Sequence, residues 1–177
     1  MRLHATWKRL AAFYSLAMLY FSPVNAQTWD SLLVTVRKRF PSVCQLSTSE
    51  LATWLSDTNR NRQLLLIDAR EPTEFEVSHL AGARNLQSVP AIKAAVTSNA
   101  QPVVVYCSVG YRSSALAEKL QKAGLTNVYL EGSIFAWANE GRPIFHGEKE
   151  IKPARVHPYD AKWGKLLDPA VRSVAGK

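Results

Sequence analysis

One cysteine stands where a cysteine can do chemistry. Cys107 ends an apolar run, Val103 to Tyr106, and is followed by Ser108-Val109-Gly110-Tyr111-Arg112-Ser113. The β-rich run reads as a buried strand. The residues after it read as a short turn, in which Gly110 can take backbone angles that a Cβ forbids. Ser113 or Ser114 is placed to cap the helix that comes next. In that helix Leu116, Leu120 and Ala123 share one face, Glu118 pairs with Lys122 one turn on, and Gly124 ends it. The thiol therefore faces backbone N–H groups and the positive end of a helix dipole. Such a setting favours a thiolate and binds anions. The chemistry it suits is nucleophilic, through a covalent cysteine adduct. Arg112 adds a positive charge at the far end of the turn, and its alternative role is to shape the loop. Asp68, at the end of the apolar run Leu64 to Ile67, is expected near this loop, anchoring N–H or hydroxyl groups.

The elements that must position these residues follow in chain order. Thr28 to Phe40 reads as an amphipathic helix with Trp29, Leu32, Leu33, Val36 and Phe40 on one side and Arg37-Lys38-Arg39 at its end. Pro41 stops it. Val43 to Leu46 is a short strand. Ser47 and Glu50 form a capping box, with Leu46 and Leu51 as its hydrophobic staple, for a helix to about Leu55. Asp57 to Gln63 is expected as a polar loop. Pro72 opens a helix to about Val77. A turn around Gly82, a strand over Arg84 to Leu86 and a helix from Pro90 to about Val96 precede the Cys107 strand. Val128 to Leu130 is the next strand, and Ser133 caps a helix that carries Ile134, Phe135 and Trp137 and stops at Gly141. Strand and helix alternate, so the fold class is α/β, a parallel sheet with helices on both faces. Sites in such sheets lie at the carboxyl ends of strands, where Asp68 and Cys107 both stand. Beyond Phe145 the period is lost among Pro153, Pro158 and Pro169, and the stretch reads as an extension wrapped on the domain as a lid or partner surface.

The 177 residues suffice for one domain with a core, and carry a net charge of +8. Arg2, Lys8 and Arg9, the apolar run Leu10 to Phe21 and Val24-Asn25-Ala26 have the pattern of a secretory signal peptide over residues 1–26, with a periplasmic or secreted location. An uncut membrane anchor is the alternative reading of the same run. Without those residues the charge falls to +5, because three basic and no acidic residues are lost. Nucleic acid is not an expected partner of such an exported chain; the charge suits small anions. Two cysteines, Cys44 and Cys107, would by default pair in an exported protein. There is no CxxC and no Cys/His cluster at zinc spacing, so no metal or cofactor is expected.

Taken together, Asp68-Ala69-Arg70, Glu74-Phe75, His79-Leu80-Ala81-Gly82-Ala83, Tyr106-Cys107, Arg112-Ser113 and Gly132…Trp137…Gly141-Arg142-Pro143 resemble a single-domain rhodanese, a sulfurtransferase. The resemblance covers about residues 43–145. It leaves residues 27–42 as an N-terminal helical extension and 146–177 as a C-terminal extension. Ser78, Ala81 and Ser133 stand where the family usually has Gly, Pro and Gly. The resemblance implies a five-stranded sheet with the Cys107 strand at its centre. It also implies that Cys107 takes the outer sulfur of a donor such as thiosulfate. Cys107 then carries it as a persulfide and passes it to cyanide, a thiol or a protein acceptor. Ser108, Val109, Gly110, Tyr111, Arg112 and Ser113 would form the substrate cradle, with Arg112 orienting thiosulfate. Related cysteine phosphatases and arsenate reductases carry Cys-x5-Arg, whereas Cys107 to Arg112 is Cys-x4-Arg, a smaller loop suited to sulfur. A non-catalytic binding module and a protein-directed sulfur carrier are the other readings.

The remaining motif residues have structural expectations. Arg70 and Glu74 would pair with each other. His79 would be a hydrogen-bonded turn residue outside the site, and Trp137 a core residue. Tyr111 would be exposed at the loop tip, and His157 and Trp163 are candidates to line the pocket. In this fold the strand of Cys44 pairs at the sheet edge, two strands from that of Cys107. Strands stand about 4.8 Å apart, so the separation is about 10 Å, too far for a disulfide. Cys44 is then expected as a small core residue.

Overall fold

The computed structural model describes residues 29–173, so the stretch read as an export signal lies outside the described residues. Five parallel strands form one sheet in the order β1-β5-β4-β2-β3. They are β1 (Cys44–Leu46), β2 (Leu65–Asp68), β3 (Arg84–Asn85), β4 (Val103–Tyr106) and β5 (Val128–Glu131). Central β4 is buried along its whole length, as is β2. That is why both read as unbroken apolar runs rather than as alternating ones. Their register sets Asp68 beside Tyr106, so the residue after each strand emerges at the same end of the sheet.

The helices begin where local chemistry starts them. Ser47 accepts from the Glu50 N–H at 3.1 Å, and Glu50 accepts from the Ser47 N–H at 2.8 Å, opening α2 (Thr48–Ser56). Leu46 and Leu51, the staple residues, are both buried. Pro72 stands at the start of α4 (Pro72–Val77), and Ser133 accepts from the Ala136 N–H to cap α7 (Ile134–Asn139). Helix α1 (Trp29–Arg39) buries Leu32 and Val36 against the domain, with Phe40 just beyond it. The Asp57–Gln63 stretch is not a loop. Asp57 accepts from the Asn59 and Arg60 N–H groups and starts α3 (Thr58–Gln63), which buries none of its residues. With no apolar face to bury, α3 leaves no period in the sequence; its cap alone signals it.

Helices α5 (Val89–Ala95) and α6 (Tyr111–Lys122) complete the layers. Cys44 lies on edge strand β1, two strands from β4 as expected, and both cysteines are free. It is exposed rather than a core residue, because the edge position leaves its side of β1 uncovered.

The chain after Pro143 is a folded strap. A hairpin of β6 (Phe145–His146) and β7 (Lys149–Glu150) is tied to the His79 backbone through Phe145. Ile144, Val156 and Leu167 are buried. Asn139 of α7 donates to the Leu166 carbonyl and accepts from the Asp168 N–H. Val156 and Val171 join the strap to its own end. A 3-10 turn, Trp163–Leu166, lies between.

Candidate active site

Tyr106 ends β4, and Cys107 turns the chain away from the sheet with its side chain 1% exposed. Gly110 makes the turn possible. Its φ of +95° lies in the left-handed region, which costs most side chains energy. A Cβ there would also stand 3.1 Å from the Gly132 carbonyl oxygen. Helix α6 begins directly after it, at Tyr111. Ser113 and Ser114 are therefore not the helix cap. Both are buried inside the first turn; the Ser114 hydroxyl donates to the Gly110 carbonyl at 2.6 Å, and the Ser113 hydroxyl, with one proton to give, lies 3.1 Å from that carbonyl and within reach of the sulfur. The early start brings Ser113 to the sulfur: its hydroxyl, when turned from the Gly110 carbonyl, donates to Cys107 Sγ at 3.4 Å, and the Gly110 N–H donates at 3.1 Å. Among the described residues these are the hydrogen bonds the sulfur accepts.

The start of α7 holds the loop in place. The Ile134 N–H donates to the Cys107 carbonyl at 2.9 Å, and Ser133 Oγ donates to the Ser108 carbonyl at 2.6 Å. Val109 and Ser108 are buried as a result. Tyr111 is half-exposed, and one edge of its ring meets Phe40 at 5.4 Å between centroids.

Two acidic residues have partners different from those expected. Asp68 does not anchor the loop. It binds Arg70, whose Nη2 donates to Oδ2 at 2.6 Å and whose Nε reaches both oxygens, with both side chains fully buried. Arg70 thus pairs with Asp68 and not with Glu74. This pair stands under Tyr106, whose hydroxyl accepts from the Leu80 N–H at 3.1 Å. Burial and the Asp68 charge push the Tyr106 phenol well above its ordinary range.

Glu74 belongs to the site. Its Oε2 accepts from Arg112 Nη1 at 2.6 Å, and its Oε1 accepts from Arg112 Nη2 at 2.8 Å and from Ser108 Oγ at 2.9 Å. Arg112 Nη2 also donates to Ser108 Oγ. The Glu71 N–H completes the set on Oε2 at 3.1 Å. Burial opposes the charge on Glu74, but the Arg112 bonds and charge outweigh it and hold the carboxyl below its ordinary range. Arg112 shows the same balance: burial works against its charge, and Glu74, then Cys107 and Tyr159, raise its pKa further. One sequence signal points this way: Glu74 lies in the first turn of a helix that starts beyond the carboxyl end of β2.

Tyr159 is a second site neighbour that the sequence did not reveal. Its ring lies 4.8 Å from the Arg112 guanidinium. His157 sits behind it, accepting from the Tyr159 N–H at 3.0 Å. His79 is a turn residue, as expected: its ring stacks on Phe75 and hydrogen-bonds the Phe75 and Gly147 carbonyls. Trp137 is buried, its indole N–H donating to the Pro143 carbonyl.

This arrangement is a buried thiol in a short strand-to-helix loop, braced by an arginine and a distant glutamate. The family model of the rhodanese-like domain matches residues 48–140. The chain belongs to the rhodanese-like family. Among relatives, it is 33% identical over 81 residues to the thiosulfate sulfurtransferase GlpE of Stutzerimonas stutzeri, covering 44% of this chain and 73% of that one. It is 35% identical over 103 residues to a probable adenylyltransferase/sulfurtransferase MoeZ of Mycobacterium tuberculosis, covering 53% of this chain and 24% of the relative. The chain thus spans about a quarter of that protein's length. A crystal structure of a thiosulfate sulfurtransferase from Pseudomonas aeruginosa shares the fold at a TM-score of 0.56 and 19% identity, covering 75% of this chain and 25% of that one. Within the rhodanese-like match lie the cradle, Asp68, Arg70 and Glu74. Phe40 and Tyr159, which touch the two residues at the end of the cradle, lie on either side of it.

Proposed function

We propose that this chain transfers sulfane sulfur through a persulfide on Cys107. The observation that carries the reading is the pair of donors on Sγ, the Gly110 N–H and the Ser113 hydroxyl. They are set to hold negative charge on sulfur, in the thiolate and in the persulfide that replaces it. With thiosulfate, the thiolate attacks the outer sulfur. The Cys107 S–S bond forms, the donor's S–S bond breaks, and sulfite leaves with the electron pair. Cyanide or a thiolate then attacks the terminal sulfur. Thiocyanate or a new persulfide forms, and the Cys107 thiolate returns. The covalent intermediate gives ping-pong kinetics.

Arg112 serves this reading in two ways. Its bidentate pair with Glu74 fixes the end of the loop, and its remaining exposure, 29% of the side chain, faces an incoming sulfonate. The six-residue loop from Cys107 to Arg112, one residue shorter than the Cys-x5-Arg loop of related phosphatases, weighs against phosphate ester chemistry. Export through the N-terminal signal is part of the same proposal, placing the donor and acceptor outside the cytoplasm.

The test is a thiosulfate:cyanide assay with mass spectrometry of the donor-treated protein. Thiocyanate should form, and Cys107 should gain one sulfur, about 32 Da. Cys107→Ser should abolish both. Aryl phosphate hydrolysis without persulfide from any sulfane donor would replace this reading with the phosphatase-like one.

A further inference from the structure

The rhodanese-like match ends at residue 140, yet the chain continues into the strap that returns to Arg112. The strap side chain that lies against Arg112 is Tyr159. Three features set it apart. Its φ is +64°, and among the described residues it is the one non-glycine with positive φ. That conformation is unfavourable for a residue with a Cβ and persists only where surrounding contacts enforce it. The enforcing contacts are present: the Tyr159 N–H bond to His157, and the packing of Pro158 on Gly164, where a Cβ would come within 2.8 Å of the proline Cβ. Second, the residue remains 48% exposed, so burial is not what keeps it in place. Third, its partner is Arg112, whose two terminal nitrogens are already held by Glu74. The ring therefore adds a face contact and takes away open space.

The cradle itself is covered. Cys107, Ser108, Val109 and Gly110 are all buried. At its end solvent reaches Tyr111 and Arg112, which share a shallow depression with exposed Glu71, Gln87 and Lys119, and the Tyr159 ring stands over Arg112. Tyr111 is fixed against Phe40 on one side, and Tyr159 is fixed on Arg112 on the other. The Tyr159 ring therefore covers part of Arg112, the part-exposed residue that closes the cradle.

We propose that Tyr159 determines acceptor specificity by narrowing the approach to Cys107, admitting small nucleophiles and retarding bulky thiols. This deepens the sulfur-transfer reading, on which the acceptor classes rest, but the steric claim concerns access to the thiol alone. It is tested in the full chain on a Cys44→Ser background, since exposed Cys44 would otherwise consume reagent. Cys107 is alkylated with iodoacetamide and with fluorescein maleimide, each rate normalised to a cysteine peptide. Tyr159→Gly removes the ring and suits the positive φ, and Tyr159→Phe keeps the ring; thermal melts confirm folding. Should the glycine variant fail to fold, Tyr159→Asn, which also tolerates this backbone, takes its place.

The expected result is a rise of about tenfold in the bulky-to-small rate ratio for Tyr159→Gly, and none for Tyr159→Phe. In sulfur transfer, kcat/KM for glutathione should rise relative to cyanide in the same order. An unchanged alkylation ratio in Tyr159→Gly, or an equal rise in Tyr159→Phe, overturns the proposal whatever the sulfur assay gives. The expected alkylation pattern without sulfur transfer by any form leaves the steric role standing and removes the sulfurtransferase reading.

Discussion

Glu74→Gln separates charge from shape at the brace of the cradle. The amide keeps the volume but loses the negative charge that accepts from Arg112, Ser108 and Glu71. Hydrogen bonds to a charged group contribute about 1.5–3 kcal/mol, and the part-exposed Arg112 places this pair toward the lower end, so a loss of about 2 kcal/mol is expected in urea unfolding at pH 7. The pH dependence has a definite sign. The folded carboxyl lies below its ordinary range, so its contribution is fully present above that range and disappears as pH falls through the folded value. The stability gap between wild type and Glu74→Gln should be widest at neutral pH and close in acid; a gap that persists into acid would mean that shape rather than charge braces the loop. Cys107 itself is legible in the sequence, since a thiol after a buried strand and before a glycine turn is placed for reaction rather than for packing. The acid pairings are not. Asp68, Arg70, Glu74 and Arg112 offer several combinations in sequence, and which one forms depends on how α4 and α6 meet across the carboxyl end of the sheet.

At the scale of elements, the strands and most helix starts are written in local chemistry. Capping residues and proline act within a few positions, and the buried β2 and β4 cannot alternate. The start of α6 misleads for the opposite reason. Ser113 and Ser114 have the composition of a cap, but the left-handed turn at Gly110 launches the helix earlier and brings their hydroxyls within reach of the Gly110 carbonyl. Gly110→Ala tests this turn. The new Cβ takes a disfavoured φ and presses on the Gly132 carbonyl, so about 1–2 kcal/mol of stability should be lost. Because the Gly110 N–H is a donor to the sulfur, Cys107 alkylation should slow at constant pH in the variant that remains folded. A variant as stable and as reactive as wild type would show that the loop has another stable form.

The whole molecule includes more than the family domain. The strap has no period to read, because it is held by a few buried side chains at irregular spacing rather than by a repeating face. Leu167→Ala removes one of these anchors and is expected to cost about 2–4 kcal/mol. If the strap holds Tyr159 in place, the same variant, assayed where it is folded, should raise the bulky-to-small alkylation ratio at Cys107; Tm falling with no change in that ratio would place Tyr159 outside its control. N-terminal sequencing of the native protein should begin at Gln27 if the export signal is used, and an intact Met1 in the membrane fraction would overturn it. The way the cradle is closed also bears on biosynthesis. Ile134 and Ser133 clamp its carbonyls, and Tyr159 arrives from further on. Chains grow from the N-terminus at about 5–20 residues per second, so the roughly 50 residues between Cys107 and Tyr159 take some seconds to emerge. Over that interval the thiol has been made but its enclosure has not. Ribosome-bound or truncated chains ending before Ser133 should therefore react at Cys107 much as a free peptide would, and the completed chain should not.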